Sequence, residues 1–273
     1  MRGVEGAARV FDLEQPRTAE MPVHPAHEQA GYSYLLHRRH EDEYRPEENG
    51  PRTGAAGIIV CAEHTGTHID ALCHQSDALV LHGGVKVDGR VQTPRGFKRH
   101  GVEEIPPILA PGVLLDAAAS KGLESLEPGY AVTDADLEEC CERQGVSVEP
   151  GGVALVRTGN ARYYWDDPGR YLAGPGMASS ASYWLAERRV FAVGADNMAW
   201  DVPGLRDPEL GCLMPGHLIL LARRGIYIIE NLALEELAAA GAYRFDFVCT
   251  PLKFVGATGS PVRPVAVVPG GTR

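Results

Sequence analysis

Residues 57–74 read Gly-Ile-Ile-Val-Cys-Ala-Glu-His-Thr-Gly-Thr-His-Ile-Asp-Ala-Leu-Cys-His, so an apolar run leads directly into a group of ligand-type side chains. The run at 57–61 is short and rich in β-branched residues, which predicts a buried strand. If the chain stays extended, positions 64, 66, 68 and 70 share one face, because strand side chains alternate with a period of two. Gly66 would leave room between two imidazoles and let the backbone bend. Asp70 would then cap a turn that returns His74 to the same place.

This stretch is also the best candidate for a metal site. His64, His68, Asp70 and His74 fall within eleven residues of a chain that has ten histidines in all. Any one of them alone could be an ordinary hydrogen-bonded residue. Four polar groups together at the end of a buried strand are costly to bury unless a metal or another partner satisfies them. Two imidazoles and one carboxylate suit zinc, manganese or iron, and they leave positions open for water and substrate.

The chain beyond this stretch alternates between two kinds of pattern, which predicts an α/β protein. Short apolar runs predict further strands at 113–116, 153–158, 190–194, 226–230, 243–250 and 262–268. Helical patterns lie at 134–144, 179–188, 215–224 and 232–240. The first of these helices has a capping-box-like start at Thr133 and Asp136 and a glycine, Gly145, at its end.

The first fifty residues differ in composition from the rest. Residues 14–55 are rich in Pro, Glu, Arg and His, with one hydrophobic island at 32–36. We expect an arm with little regular structure that covers a site or a partner subunit, and we expect its histidines at 24, 27, 37 and 40 to lie on the surface. The predicted organisation is a single domain in which residues 1–55 form this arm and residues 56–273 form the core.

A second group of candidate residues lies far along the chain. Glu230 ends an apolar strand and precedes a helix, and His217 lies in the first turn of a helix that begins at Pro215. Residues at the carboxyl ends of strands face the ligand crevice in α/β sheets, where a catalytic carboxylate is expected. Each residue alone could be structural, and Glu230 could simply cap the helix that follows it.

Composition and charge exclude several functions. A net charge of −10 argues against a nucleic-acid-binding surface, which must be basic. No stretch approaches the ~18 apolar residues of a membrane helix, and no signal peptide is visible at the N-terminus. Six scattered cysteines without framework spacing indicate reduced thiols in the cytoplasm. The sequence has no Gly-x-Ser-x-Gly motif of a serine hydrolase. The glycines of Gly-Ala-Thr-Gly at 256–259 lack the lysine and the strand–helix context of a phosphate-binding loop.

With these motifs assembled, the sequence resembles the cyclase family of metal-dependent hydrolases, which includes kynurenine formamidases, isatin hydrolases and a trans-dienelactone hydrolase. The family motif has the form H-x-G-T-H-x-D-x-x-x-H, and residues 64–74 fit it at every defined position. Weaker matches follow in the right order along the chain: Arg-Thr-Gly at 157–159, Val-Gly-Ala-Asp at 193–196, Glu-Asn-Leu at 230–232 and Gly-Ala-Thr-Gly-Ser-Pro-Val-Arg at 256–263.

The resemblance implies a swivelling β/β/α fold and a homodimer or homotetramer in which N-terminal segments cross between subunits. It implies that His64, His68 and Asp70 bind one divalent metal, zinc or manganese. His74, His217 and Glu230 would then act with Asp70 in binding a second ion, or would position the attacking water and move protons. The implied reaction is hydrolysis of a small amide, lactam, formamide or lactone.

Two rival functions remain open at this point. His68, Asp70 and His217 formally match the two-histidine, one-carboxylate triad of non-haem iron oxygenases, although that match leaves His64 and His74 unexplained. The same metal site could also serve a cyclase, a dehydratase or a non-catalytic binding protein. A panel of lactams, lactones and N-formyl arylamines would discriminate these from a hydrolase.

Overall fold

The computed structural model describes residues 8–28 and 31–270. Within them the strands are β1 (Arg9–Asp12), β2 (Tyr32–Arg38), β3 (Ala56–Cys61), β4 (His68–Asp70), β5 (Val80–Leu81), β6 (Val85–Lys86), β7 (Gln92–Thr93), β8 (Gly96–Phe97), β9 (Ile108–Asp116), β10 (Ala131–Val132), β11 (Val153–Arg157), β12 (Gly176–Met177), β13 (Ala192–Ala195), β14 (Tyr227–Glu230), β15 (Arg244–Cys249), β16 (Gly259–Pro261) and β17 (Val265–Val268).

The helices of the same residues are mostly short. They are α1 (Pro46–Asn49), α2 (Ala117–Ser120), α3 (Asp134–Gln144), α4 (Pro168–Leu172), α5 (Ser179–Glu187), α6 (Pro215–His217) and α7 (Glu235–Ala239). Helix α6 continues as a π-helical segment, Leu218–Arg224. Single 3-10 turns lie at Pro25–His27, Glu41–Glu43, His82–Gly84, Val102–Glu104 and Asn160–Tyr163. None of the helices in the described ranges has the length and apolar character needed to cross a bilayer.

One mixed sheet of nine strands organises the domain, in the order β1-β17-β15-β9-β11-β13-β14-β4-β16. Strands β9, β11, β13 and β14 are parallel neighbours in its middle. Antiparallel strands complete both sides, and β4 lies between β14 and β16. The α/β class predicted from the alternating patterns is therefore confirmed, and the chain forms a single mixed α/β domain around a curled sheet.

Both faces of the central strands are buried, because their side chains alternate between two cores. On β9, Val113 and Leu115 pack in one core with α3 and α5, whereas Leu114 packs in the other with Phe245 and Phe247 of β15. Such strands read in the sequence as continuous apolar runs. Burial on both faces fixes the sheet and holds the ends of β4 and β14 in place.

The capping prediction for α3 is confirmed. The Thr133 hydroxyl accepts from the backbone N–H of Asp136, and the Asp136 carboxylate accepts from the N–H of Thr133. Gly145 ends the helix with a φ of 61°, in the left-handed region that favours glycine. The sequence pattern predicts this helix well, because the hydrogen bonds that cap each end join residues only three or four positions apart.

Strand 57–61 is present, but the prediction that it is buried is wrong. It forms a two-stranded antiparallel ribbon with β2, in which Tyr34 lies opposite Ile59 and Leu35 lies opposite Ile58. Ile59 and Leu35 are each 63% exposed. The prediction of little regular structure in 14–55 is also wrong, because residues 32–38 form the other strand of this ribbon. An apolar run alone does not say which surface covers it.

Candidate metal centre and active site

Strand pairing assembles the centre of the site. The short strand β4 runs antiparallel to β14, and their register places His68 directly opposite Glu230. Opposite residues in such a pair point to the same face, so their side chains meet although they lie far apart in sequence. His68 Nε2 is 3.3 Å from Glu230 Oε2 and 3.5 Å from Asp70 Oδ1. All three residues are buried.

His64 reaches the same point by a bend and not by an extended strand. The predicted single face over 64–70 is wrong, because β4 begins only at His68 and the chain turns at Gly66, whose φ is +62°. A Cβ at Gly66 would meet, at 2.9 Å, only the flexible end of the Arg17 side chain, so glycine is favoured there by its positive φ. The bend brings His64 Nδ1 to 2.7 Å from Asp70 Oδ1.

His74 returns to the site as predicted, although Asp70 does not cap the turn. The N–H of His74 donates to the carbonyl of Ala71 at 2.9 Å, and the His74 ring stands 4.0 Å from the ring of His64. Asp70 instead directs its carboxylate at imidazoles. Ligand atoms of His64, Asp70 and His74 lie within 4.8 Å of one another, as do those of His68, Asp70 and Glu230.

His217 is held by a residue that the sequence did not single out, Asp201. The Asp201 carboxylate accepts from the N–H groups of Gly216 (2.6 Å) and His217 (3.1 Å) and from His217 Nδ1 (2.7 Å). His217 Nε2 then faces Glu230 Oε1 at 3.2 Å and Asp70 Oδ2 at 3.5 Å. The structure therefore brings all six predicted site residues together around Asp70 and Glu230.

The outer nitrogens of three imidazoles are all occupied by acceptors. His68 Nδ1 donates to the carbonyl of Gly66 at 2.7 Å and His217 Nδ1 donates to Asp201, while His64 Nε2 contacts the hydroxyl of Thr258 at 2.8 Å. On neutral rings the inner nitrogens consequently carry lone pairs. These lone pairs face two carboxylates, and among residues 8–28 and 31–270 the buried Asp70 Oδ2 has no hydrogen-bond partner. A buried group of acceptors facing one another fits a divalent cation.

The pKa values in this cluster indicate the same preference for positive charge. Burial lowers the pKa of His68, but the adjacent Asp70 and Glu230 outweigh it and raise that pKa to about 10. Burial raises the pKa of Glu230, yet His217 and His68 lower it to about 2. Burial likewise raises the pKa of Asp70, but the surrounding imidazoles outweigh it and hold that pKa well below its usual value. Both carboxylates therefore stay ionised and stabilise a cation between them.

Comparison with known proteins identifies the family. The family described as "Putative cyclase" matches residues 11–202. The chain belongs to this cyclase family. It is 26% identical to isatin hydrolase of Roseibium aggregatum over 77% of this chain and 74% of that protein, and 23% identical to kynurenine formamidase of Polaromonas naphthalenivorans over 94% and 90%. A solved structure of a novel cyclase superposes with a TM-score of 0.82 at 30% identity, covering 95% of this chain and 88% of that one.

The cyclase-family site opens into a cavity of about 390 Å³. Its walls contain five of the six predicted residues, all except Asp70, and an apolar side formed by Met198, Pro203 and Met214. His24 and His27 also line it, so their predicted place on the surface is wrong. The His27 ring stacks 5.1 Å from that of His64. This part of the arm therefore lies over the site, which is one of the two alternatives predicted for the arm.

Sequence reasoning missed three further residues around this cyclase-family centre: Glu63, Thr258 and Asp201. Glu63 directly precedes the motif, and its position beside His64 was the available signal. Thr258 lies in the segment 256–263, which was considered as a phosphate loop and as a weak family match but not as part of the site. Nothing local distinguishes Asp201. Its role depends on α6 returning to the end of the sheet.

Proposed function

We propose that the protein is a metal-dependent hydrolase that cleaves a small amide, lactam, formamide or lactone with water. The observation that carries this proposal is the convergence of imidazole lone pairs on Asp70 and Glu230, with Asp70 Oδ2 buried and without a hydrogen-bond partner in the described part of the chain. The hydrolases among its relatives support the same reaction type. The metal would be zinc or manganese, as one ion or two.

We assign His64, His68 and Asp70 as the residues that hold the first ion. His74, His217 and Glu230 either hold a second one with Asp70 or bind and deprotonate water. A divalent ion bound there would lower the pKa of coordinated water towards neutrality and polarise the carbonyl that is cleaved. The two carboxylates offset the ion's charge, and the buried walls exclude bulk water.

Glu230 is the proposed proton acceptor. The backbone N–H of Trp200 donates to Glu230 Oε1 at 2.7 Å and fixes the orientation of the carboxylate. His74 is a second candidate, because its ring lies beside that of His64, and burial lowers its pKa to about 3 despite the Asp70 carboxylate, so the ring is neutral near pH 7. Either group can return that proton to the leaving nitrogen or oxygen.

The cavity restricts the substrate to a small molecule. A volume of about 390 Å³ accommodates one ring system with short substituents. Met198, Pro203 and Met214 would pack against its apolar part, while His24 and His27 face its polar edge. We propose that the protein acts in the cytoplasm, where its six cysteines, all free thiols, would stay reduced.

A substrate panel tests the function. The purified protein, loaded with Zn²⁺ or Mn²⁺, is incubated with lactams, lactones and N-formyl arylamines, and the products are measured. We expect ring opening or deformylation of one class, abolished in His68→Ala and retained in His37→Ala, a histidine exposed on the ribbon. Failure across the panel with metal bound would favour a cyclase, a dehydratase or a binding protein.

We also propose that the protein assembles as a homodimer or homotetramer through the β2–β3 ribbon and that residues 1–55 act as its assembly arm. Apolar side chains are exposed on both faces of the ribbon, with Leu35 and Ile58 on one and Tyr34 and Ile59 on the other. A two-stranded ribbon with this composition is poorly stable in water unless another surface covers it.

The ribbon proposal is tested in solution. Leu35→Lys combined with Ile59→Lys should lower the mass measured by light scattering to that of one chain. Leu109→Lys is the matched control, because Leu109 is 76% exposed and lies on β9, away from the ribbon. An unchanged mass in the double variant would refute the assignment of this surface.

A further inference from the structure

Glu63 and Thr258 connect the metal-binding motif to the segment before β16. Glu63 Oε2 accepts from the Thr258 N–H (2.6 Å), from the Thr258 hydroxyl (2.6 Å) and from the Gly259 N–H (2.9 Å). The same hydroxyl oxygen lies 2.8 Å from His64 Nε2. A Cβ at Gly259 would lie 2.7 Å from His64 Cε1, so only glycine lets this segment approach the ring so closely.

These contacts set the direction of the protons. A carboxylate only accepts, so the single hydroxyl proton of Thr258 points to Glu63. The hydroxyl oxygen is then an acceptor for His64, whose Nε2 must carry the ring proton. On the neutral ring Nδ1 is left with a lone pair directed at Asp70 Oδ1, 2.7 Å away. As neutral rings, His68 and His217 have the opposite tautomer, because their Nδ1 atoms donate to Gly66 and Asp201.

We propose that Glu63 and Thr258 are positioning residues that fix the tautomer of His64, so that His64 binds the metal through Nδ1 while His68 and His217 present Nε2. This inference rests on the metal dependence proposed above. Partners that fix the tautomer of a metal-binding histidine typically change metal affinity by about 10- to 100-fold when they are removed.

Glu103 offers a comparison for the possibility that Glu63 only anchors the backbone of the segment before β16. Glu103 Oε2 accepts from the N–H of Gly256 at 2.9 Å, so it also anchors this segment through a backbone bond. Among the residues that the structure describes, this is the only side-chain hydrogen bond of Glu103, and none joins it to a histidine ring of the site. Glu103→Ala therefore removes an anchor without touching the tautomer.

The test measures affinity for Zn²⁺ and for Mn²⁺ by competition with a chromophoric chelator. Thr258→Val should weaken binding by about 10-fold or more, and Thr258→Ser, which restores the hydroxyl, should return it to within about 3-fold of the wild type. Glu63→Ala should also weaken binding, whereas Glu103→Ala should not. Nitrogen-15 spectra of the zinc-loaded protein should show the His64 proton on Nε2.

Three results would overturn the proposal: unchanged affinity in Thr258→Val and Glu63→Ala, equal losses in Glu63→Ala and Glu103→Ala, or a His64 proton on Nδ1. Thermal unfolding of the metal-free variants separates lost anchoring from lost affinity. Because the measurement is metal binding, the outcome is independent of the substrate panel. A protein that binds zinc through this arrangement but hydrolyses nothing would refute the proposed function alone.

Discussion

Glu230→Gln is the sharpest test of the second half of the site. The substitution keeps the shape of the side chain. Its carbonyl oxygen can still accept from the Trp200 N–H, which is 2.7 Å from Oε1. The amide NH₂ must then take the place of Oε2, 3.3 Å from His68 Nε2, where it presents a donor to a nitrogen that otherwise faces the ion. Both the negative charge and the proton acceptor are lost.

The expected magnitude follows from the role of a general base, which contributes about 10²- to 10⁴-fold. A fall of about 10²-fold in kcat/KM corresponds to about 2.7 kcal/mol of lost transition-state stabilisation. The assay is initial-rate kinetics on the best substrate of the panel, with metal content measured on the same preparation. Metal content distinguishes a lost proton acceptor from a lost ligand.

Glu235→Gln is the matched control. Glu235 lies five residues after Glu230 in the sequence. Its carboxylate accepts hydrogen bonds from Arg157 Nε and Nη2, each at 2.9 Å, in an ion pair that stabilises the fold. This variant should lower stability and leave kcat/KM within about 3-fold of the wild type. If Glu230→Gln retained its activity and lost only stability, Glu230 would be a structural residue, whereas His64, His68 and Asp70 would still stand as ligands.

Two further predictions concern the metal and the fold. Prolonged chelation should abolish activity, and added Zn²⁺ or Mn²⁺ should restore it; full activity in protein shown by elemental analysis to be metal-free would contradict the proposed function. Asp136→Asn should lower the free energy of unfolding by about 1 kcal/mol at pH 7, because it weakens the capping box of α3 and the contact with Lys121 at 2.6 Å. Burial opposes ionisation of Asp136, but Lys121 and Thr133 hold its pKa below the usual value, so its contribution is present above about pH 4 and is lost as the pH falls through the lowered pKa. The difference from the wild type, measured by denaturant unfolding across pH, should shrink in acid, and Asp134→Asn, an exposed change on the same helix, should show little effect at any pH.

The wrong predictions share a cause with the missed residues. The apolar run at 57–61 predicted that Ile58 and Ile59 are buried. Whether a side chain is buried, however, depends on which surface lies next to it in space. His24 and His27 read as surface residues because their neighbours are polar, yet the arm folds back over the cavity. Local composition reports the character of a segment and not the surface that it meets.

The sequence by itself determined the features that depend on near neighbours in the chain. The eleven residues from His64 to His74 contained four of the six candidate metal ligands, and Thr133 with Asp136 located the start of α3. Continuous apolar runs indicated the parallel strands at the centre of the sheet. These features rest on side-chain periodicity and hydrogen bonds that span a few residues, so a short stretch of sequence contains all of the necessary information.

Only the tertiary structure decided how the distant parts meet. The register of β4 against β14 brings Glu230 opposite His68, and helix α6 returns His217 with Asp201 beneath it. The close approach of Gly259 to the His64 ring brings the Thr258 hydroxyl within hydrogen-bonding distance of His64 Nε2. Such contacts depend on the pairing register of strands and on the packing of both cores. Those properties belong to the whole domain, because a shift of one residue would turn every side chain of β4 to the opposite face.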